Sequence, residues 1–137
     1  MFLIDTNVVS ETRKGANANR GVIAFWNSAR AEDIYLSVQT IGELRRGVEI
    51  IRARGDVRQA DLLAAWLELV VQRYADYVLE FDLECAQVWG RLMAPDPAHP
   101  IDKQIAAIAL MHDLTIVTRN TADFSGSGAR LLDPFTA

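Results

Sequence analysis

Residues 2–7 read FLIDTN, an apolar triplet that stops at an acidic residue, and this stretch decides how the rest of the chain is interpreted. An apolar run this short, ending this abruptly, is typical of a strand buried in a parallel sheet. Further strands and helices are predicted from the apolar periodicity, with strands at 34–38, 77–81, 115–118 and 131–132, and helices at 22–30, from 40 to the Gly55-Asp56 break, 58–74, 82–93 and 102–112. The alternation predicts an α/β fold whose central, mostly parallel sheet of four or five strands carries helices on both faces.

Composition limits the class of protein. The chain has 137 residues, half of them hydrophobic, which is typical of one folded domain spanning 1–137 and excludes a disordered chain. Its one cysteine, Cys85, cannot form an internal disulfide, and this favours a reducing cytosol. No stretch approaches the ~20 apolar residues of a membrane helix, and the start is not that of a signal peptide. We therefore expect a cytoplasmic protein without membrane contact.

The net charge is acidic, with 14 Lys and Arg against 18 Asp and Glu. A protein that coats nucleic acid draws its affinity from phosphate neutralisation and is usually basic. If this chain handles nucleic acid, we expect it to do so at a local site, through a local basic patch, or through a partner.

Acidic and amide side chains fall where the predicted strands end. Asp5 follows the first strand, Glu43 lies near the start of the helix after the second, and Asp102 opens the helix that precedes the fourth. Asn120 and Asp123 follow the fourth strand. In open α/β sheets the reactive crevice lies beyond the carboxyl ends of the strands, so these groups are predicted to converge. Each also has a purely structural interpretation, as a helix cap or a turn residue.

Three carboxylates in one place repel one another, so such a cluster needs a cation. Oxygen ligands favour Mg²⁺ or Mn²⁺, and such an ion serves phosphodiester hydrolysis by activating water and neutralising phosphate. The two histidines are not expected to take part: His99, in the proline-rich loop 94–100, is expected to be solvated, and His112 ends a helix.

Four segments together resemble a known family; they are MFLIDTNVVSE (1–11), LSVQTIGELRRGV (36–48), IDKQIAAIALMHDLTIVTRNTADF (101–124) and LLDPF (131–135). They are similar to PIN-domain proteins, above all to the VapC-type toxins of bacterial toxin–antitoxin pairs, including the FitB-like branch. The resemblance implies a three-layer α/β/α sandwich and a Mg²⁺- or Mn²⁺-dependent ribonuclease. It also implies a VapB-like antitoxin as partner, RNA as substrate, and contact with DNA only through that antitoxin.

The resemblance assigns roles residue by residue. Asp5, Glu43 and Asp102 match the metal-binding acids of the family. The supporting positions are matched by Thr6 and Asn7 in the first loop and by Thr118 and Arg119 after the fourth strand. The chain departs from the family pattern at Asn120, where many relatives carry Asp as a fourth catalytic acid. This difference puts a second metal site in doubt. Asp123 is the alternative to Asn120 as the fourth ligand.

Two surfaces are candidates for partners. Arginines crowd the region after Glu43 and are interpreted either as RNA or antitoxin contacts or as a solvated helix face; they are Arg45, Arg46, Arg52, Arg54 and Arg58. The helix at 60–74 is apolar on two sides, which predicts a homodimer or a partner on its second side, unless a neighbouring helix covers it.

Two other functions stay open at this level. A catalytically weak PIN-fold module, acting mainly in a complex with a DNA-binding antitoxin, is favoured by Asn120. A metal-dependent phosphatase or phospho-receiver domain also places Asp at strand ends. The phosphatase, however, needs a second acid where this chain has Asn7, and the receiver needs an acidic pair before its first aspartate and a lysine near its last strand, neither of which is evident.

Overall fold

The apolar triplet Phe2–Ile4 forms the central strand, β1, of the sheet in this computed structural model, which describes residues 1–136. Within these residues the sheet has five strands in the order β3-β2-β1-β4-β5, and every neighbouring pair is parallel. The other strands are β2 (Ile34–Ser37), β3 (Val78–Leu79), β4 (Thr115–Val117) and β5 (Leu131–Leu132). The carboxyl ends of β1, β2 and β4 therefore open onto one edge.

Six α-helices connect the strands in the described part of the chain; they are α1 (Thr6–Glu11), α2 (Arg20–Ser28), α3 (Val38–Ala53), α4 (Val57–Arg73), α5 (Leu83–Met93) and α6 (Pro100–His112). Several begin at a side-chain cap, as expected of Asp and Ser before a helix. The Ser37 hydroxyl accepts from the Thr40 amide at 3.1 Å, and Asp82 Oδ1 accepts from the Cys85 amide at 2.9 Å. Short 3₁₀ turns lie at 12–17, 31–33, 75–77 and 121–124.

Helices cover both faces of the sheet because side chains alternate along each strand. Ile4 faces a cluster built with α1 to α4, whereas its neighbour Leu3 faces a cluster built with α5 and α6. Leu36 and Val117 belong to the first cluster and Ile116 to the second. The three-layer α/β/α sandwich with a parallel sheet is confirmed.

The predicted elements are confirmed in their order, but several bounds differ. The helix predicted at 22–30 is Arg20–Ser28, and Val38, predicted to end the second strand, begins α3. β3 is shorter than 77–81, because Ala75–Tyr77 form a 3₁₀ turn and only Val78–Leu79 pair with β2. α6 begins at Pro100 rather than at Asp102. A proline is tolerated at the start of a helix, because the amide N–H that it lacks would have no partner within the first helical turn. α1 was not predicted. No helix among residues 1–136 is long and apolar enough to cross a membrane.

Candidate active site

Asp5 is the most buried acid of the strand edge, with 4% of its surface exposed. It follows β1 and caps α1: its Oδ1 accepts from the Thr6 amide at 2.9 Å. Its Oδ2 accepts from the Thr118 hydroxyl at 2.8 Å and from Asn7 Nδ2 at 3.2 Å. Burial raises the pKa of Asp5, while these hydrogen bonds oppose the rise and the charge of Asp123 adds to it.

The supporting residues hold Asp5 through a network across β1 and β4. Thr118 is fully buried, and its hydroxyl oxygen also accepts from the Asn120 amide at 3.0 Å. Asn7 Oδ1 accepts from the Arg119 amide at 3.0 Å. The Arg119 guanidinium instead lies 4.7 Å from the centre of the Phe135 ring, so Arg119 serves the network through its backbone.

Glu43 joins Asp5 through Thr6. It lies in the second turn of α3, and its Oε1 accepts from the Thr6 hydroxyl at 2.6 Å. Because Thr6 directly follows Asp5, this bond ties the exposed Glu43 side chain to the loop that carries the buried acid. Helix α3 begins at the Ser37 cap, one residue after the last core position of β2, and this places Glu43 at the carboxyl edge.

Asp102 lies in the first turn of α6 and completes the acidic set. Burial, followed by the charges of Asp5, Asp123 and Glu43, raises its pKa to about 6, against a partial opposing effect of His99. These carboxylates therefore share one electrostatic site although they come from four separate segments.

Two residues, Asn120 and Asp123, are candidates for the fourth polar ligand, and their side chains have different surroundings. Asn120 is exposed, and its side chain makes no capping bond to the turn that follows. Asp123, in that turn, has a ligand oxygen within 4.8 Å of ligand atoms of Asp102 and His99. Its charge also acts on Asp5. The Asp123 carboxylate therefore faces the acidic set.

His99 is half exposed, as expected of a solvated side chain, and it also lies beside these acids. Its Nδ1 is 3.7 Å from Asp102 Oδ2, and its Nε2 is 3.7 Å from Asp123 Oδ1. The signal that could have found it is its position at the N-cap of α6, three residues before Asp102.

The arginine cluster after Glu43 is partly engaged in ion pairs. Arg45 pairs with Glu49 at 3.6 Å, and Arg52 pairs with Asp61 at 2.9 Å. Arg46 and Arg54 are exposed and form no ion pair with the part of the chain that the structure describes. Arg58 is likewise exposed and without an ion pair among the described residues, so the guanidinium groups of these three arginines are free to meet a phosphate.

The second side of the helix at 60–74 is largely uncovered. Leu63, Leu67 and Val70 of α4 are buried in the core, whereas Leu62 and Leu69 are 60% and 65% exposed. Leu69 also borders a groove of about 540 Å³ between α2 and α4, which two tryptophans line, Trp26 and Trp66.

A parallel sheet that gathers four carboxylates beyond the ends of its central strands defines a class of α/β protein suited to binding a divalent cation. The model of the PIN domain family matches residues 2–125, and the chain belongs to this family. It is 32% identical to toxin FitB of Neisseria gonorrhoeae over 98% of this chain and 99% of that protein. It is 33% identical to VapC ribonuclease Y4jK of Sinorhizobium fredii over 98% of each chain.

The fold agrees with a solved relative. The crystal structure of FitAcB from Neisseria gonorrhoeae superposes with a TM-score of 0.86 at 32% identity, covering 98% of each chain. The family resemblance of the four sequence segments is thereby confirmed. PIN-domain nucleases generally use divalent metals, and the acidic edge of this chain is compatible with that chemistry.

Proposed function

We propose that this protein is a Mg²⁺- or Mn²⁺-dependent endoribonuclease, the toxin of a type II toxin–antitoxin pair. The observation that carries the proposal is the convergence of Asp5, Glu43, Asp102 and Asp123 on one edge of the sheet. Membership of the PIN family and similarity to proteins named a toxin and a ribonuclease support it.

The donor set fits a hard divalent ion. Its oxygens come from carboxylates, and the pKa of Asp102 rises to about 6 partly because neighbouring carboxylates repel its charge. We propose that Asp5 and Asp102 hold the ion, with Glu43 and Asp123 completing the set. When bound, the ion would supply charge neutralisation for the phosphate and an acidified water.

The protein's own residues then have separate tasks. The Thr118 and Asn7 side chains and the Thr6 amide fix the Asp5 carboxylate, so it need not reorganise when the ion and substrate arrive. The Thr6 hydroxyl orients Glu43. Arg46, on the helix that carries Glu43, and Arg54, at the C-terminal cap of that helix, are proposed to bind the RNA backbone.

The central experiment compares purified, antitoxin-free wild type with Asp5→Asn on structured RNA in Mn²⁺. We expect Asp5→Asn to lose cleavage and toxicity while remaining folded, because the amide keeps the shape of the side chain and removes its charge. The control is Asp76→Asn, an exposed carboxylate outside the site, which should cleave like wild type. Cleavage by Asp5→Asn at the wild-type rate would contradict the assignment.

A second comparison separates the two candidates for the fourth ligand. If Asp123 is that ligand, Asp123→Asn should raise the Mn²⁺ concentration needed for half-maximal cleavage, and Asn120→Ala should leave it nearly unchanged. Asn120→Asp adds a carboxylate at the edge and is expected to tighten metal binding. If Asn120→Ala raises that Mn²⁺ concentration and Asp123→Asn does not, Asn120 is the fourth ligand. The catalytically weak module is favoured by Asn120, and a role for Asp123 as the fourth acid, as we propose, would argue against it.

We further propose a VapB-like antitoxin as partner, contact with DNA only through it, and a cytoplasmic location. The relative named toxin FitB and the uncovered side of α4 support a protein partner. Residues 1–137 are proposed to form one domain, since the family model spans 2–125 and β5 at 131–132 extends the same sheet. A homodimer through the helix at 60–74 stays a prediction.

A further inference from the structure

The His99 imidazole lies between two acids without a satisfied hydrogen bond to either. Both nitrogen–oxygen separations, to Asp102 and to Asp123, are 3.7 Å, which is longer than a hydrogen bond. Within residues 1–136 the side chain makes no hydrogen bond. The side chain is half exposed, and both ring nitrogens, which have no hydrogen-bond partner within residues 1–136, are available to bind a metal ion beside the two carboxylates.

The backbone presents this imidazole from an anchored loop. His99 adopts the left-handed conformation, with φ 55° and ψ 58°, immediately before Pro100. Its carbonyl accepts from the Lys103 amide at 3.0 Å, and the Pro100 carbonyl accepts from Trp89 Nε1 at 3.1 Å. The Lys103 ammonium lies 3.4 Å from Asp96 in the same loop. The position of His99 relative to α6 is therefore held by contacts on both sides.

The three side chains are close enough to bind one ion. One ligand atom each from His99, Asp102 and Asp123 lies within 4.8 Å of the others. Donors bound about 2.1 Å from a metal lie no more than roughly 4.2 Å apart, so a small side-chain adjustment suffices. Asp102 and Asp123 also line a cavity of about 240 Å³, which leaves room for water ligands or a substrate group.

We propose that His99, Asp102 and Asp123 together bind a divalent transition-metal ion, and that His99 makes the site prefer Mn²⁺ over Mg²⁺. Carboxylates suit both Mg²⁺ and Mn²⁺, but of these two ions only Mn²⁺ is a transition metal that also accepts an imidazole nitrogen well, whereas Mg²⁺ prefers an oxygen shell. Because Asp102 and Asp123 belong to both ligand sets, the inference rests on the proposed function and specifies its metal.

The experiment detects nitrogen on the metal directly. The full chain, without a histidine tag and stripped of metal with EDTA, is loaded with substoichiometric Mn²⁺, and electron spin-echo modulation from ¹⁴N is recorded. The test variant is His99→Asn, since Asn tolerates the left-handed conformation, with His99→Ala as a second variant. The matched control is His112→Ala, which removes the only other histidine, at the far exposed end of α6.

We expect imidazole ¹⁴N modulation in wild type and His112→Ala, and its loss in both His99 variants. Calorimetry with each metal alone should give Mn²⁺ affinity at least about tenfold weaker in the His99 variants, with Mg²⁺ affinity changed far less. Wild type without ¹⁴N modulation, or His99 variants that keep the wild-type preference for Mn²⁺, would overturn the proposal.

RNA cleavage on the same preparations separates this inference from the proposed function. Modulation without any cleavage would support the metal site and contradict the nuclease. Cleavage in Mn²⁺ without modulation would support the nuclease and overturn the role of His99.

Discussion

Asp102→Asn is expected to stabilise the metal-free protein at neutral pH. The pKa of Asp102 rises from 3.8 to about 6 on folding, because its carboxylate is partly buried beside other carboxylates. Between these two values the unfolded chain releases the proton while the folded chain retains it. The folded state therefore loses stability as pH rises through this window, and the loss is complete above about pH 6.

The expected gain in the free energy of unfolding follows from the size of the pKa shift of Asp102. A difference of about two pKa units corresponds to at most roughly 3 kcal/mol at neutral pH. The Asp102 side chain is 24% exposed, and solvent screening reduces this figure, so we expect a gain of about 1–2 kcal/mol. For a domain of this size that is a rise in Tm of about 3–7 °C.

The assay is urea unfolding in EDTA at pH 7.5 and near pH 4, with Asp76→Asn as the control for removing an exposed carboxylate. We expect the gain of Asp102→Asn to be clear at pH 7.5 and small near pH 4, where the carboxyl is protonated in the folded protein. A variant that is no more stable than wild type at pH 7.5, or whose gain is equal at both pH values, would refute the electrostatic reasoning.

Three further predictions follow from the described contacts. Thr118→Val should lower stability by about 1.5–3 kcal/mol in urea unfolding, because the buried Asp5 carboxylate loses a charge-assisted hydrogen bond; a change below 0.5 kcal/mol would contradict it. Gly21→Ala should destabilise the fold, since the added Cβ would lie 2.0 Å from the Pro134 carbonyl oxygen. The control Gly47→Ala adds a Cβ that meets nothing within 4 Å and should raise the free energy of unfolding by about 0.5–1 kcal/mol. Equal effects of the two substitutions in thermal melts would contradict this prediction. Leu69→Glu should shift a dimer toward monomer in light scattering, and a monomeric wild type at high micromolar concentration would defeat the homodimer.

Most of the fold could be predicted from the sequence because its signals are local. Three apolar residues before Asp5 indicated the buried central strand, and the Asp82 cap indicated the start of α5. β3 was overestimated because an apolar run at 77–81 does not reveal how many of its residues find a partner strand. Only Val78 and Leu79 pair with β2.

The placement of some residues of the candidate site could likewise be predicted from local sequence signals, and that of others could not. Asp5, Glu43 and Asp102 follow or open regular elements, so their placement at one edge follows from topology. Asp123 was predicted only as an alternative fourth ligand and His99 was not predicted, because their placement depends on the paths of a 3₁₀ turn and a proline-rich loop, which periodicity does not encode. A sequence motif draws attention to Asn120, whereas we propose that Asp123, three residues later, supplies the fourth carboxylate.

The stability of the fold and its affinity for a metal ion are linked through Asp102. Carboxylates crowded around Asp102 destabilise the metal-free fold, and a bound divalent ion would remove that repulsion. An ion that binds only the folded chain adds RT ln(1 + [M]/Kd) to stability, about 2.7 kcal/mol at a hundredfold excess over Kd. The wild type should therefore gain thermal stability on adding Mn²⁺, whereas Asp102→Asn, having lost a ligand, should gain much less. A site that is strained without its ion in this way is typical of residues retained for function rather than for stability.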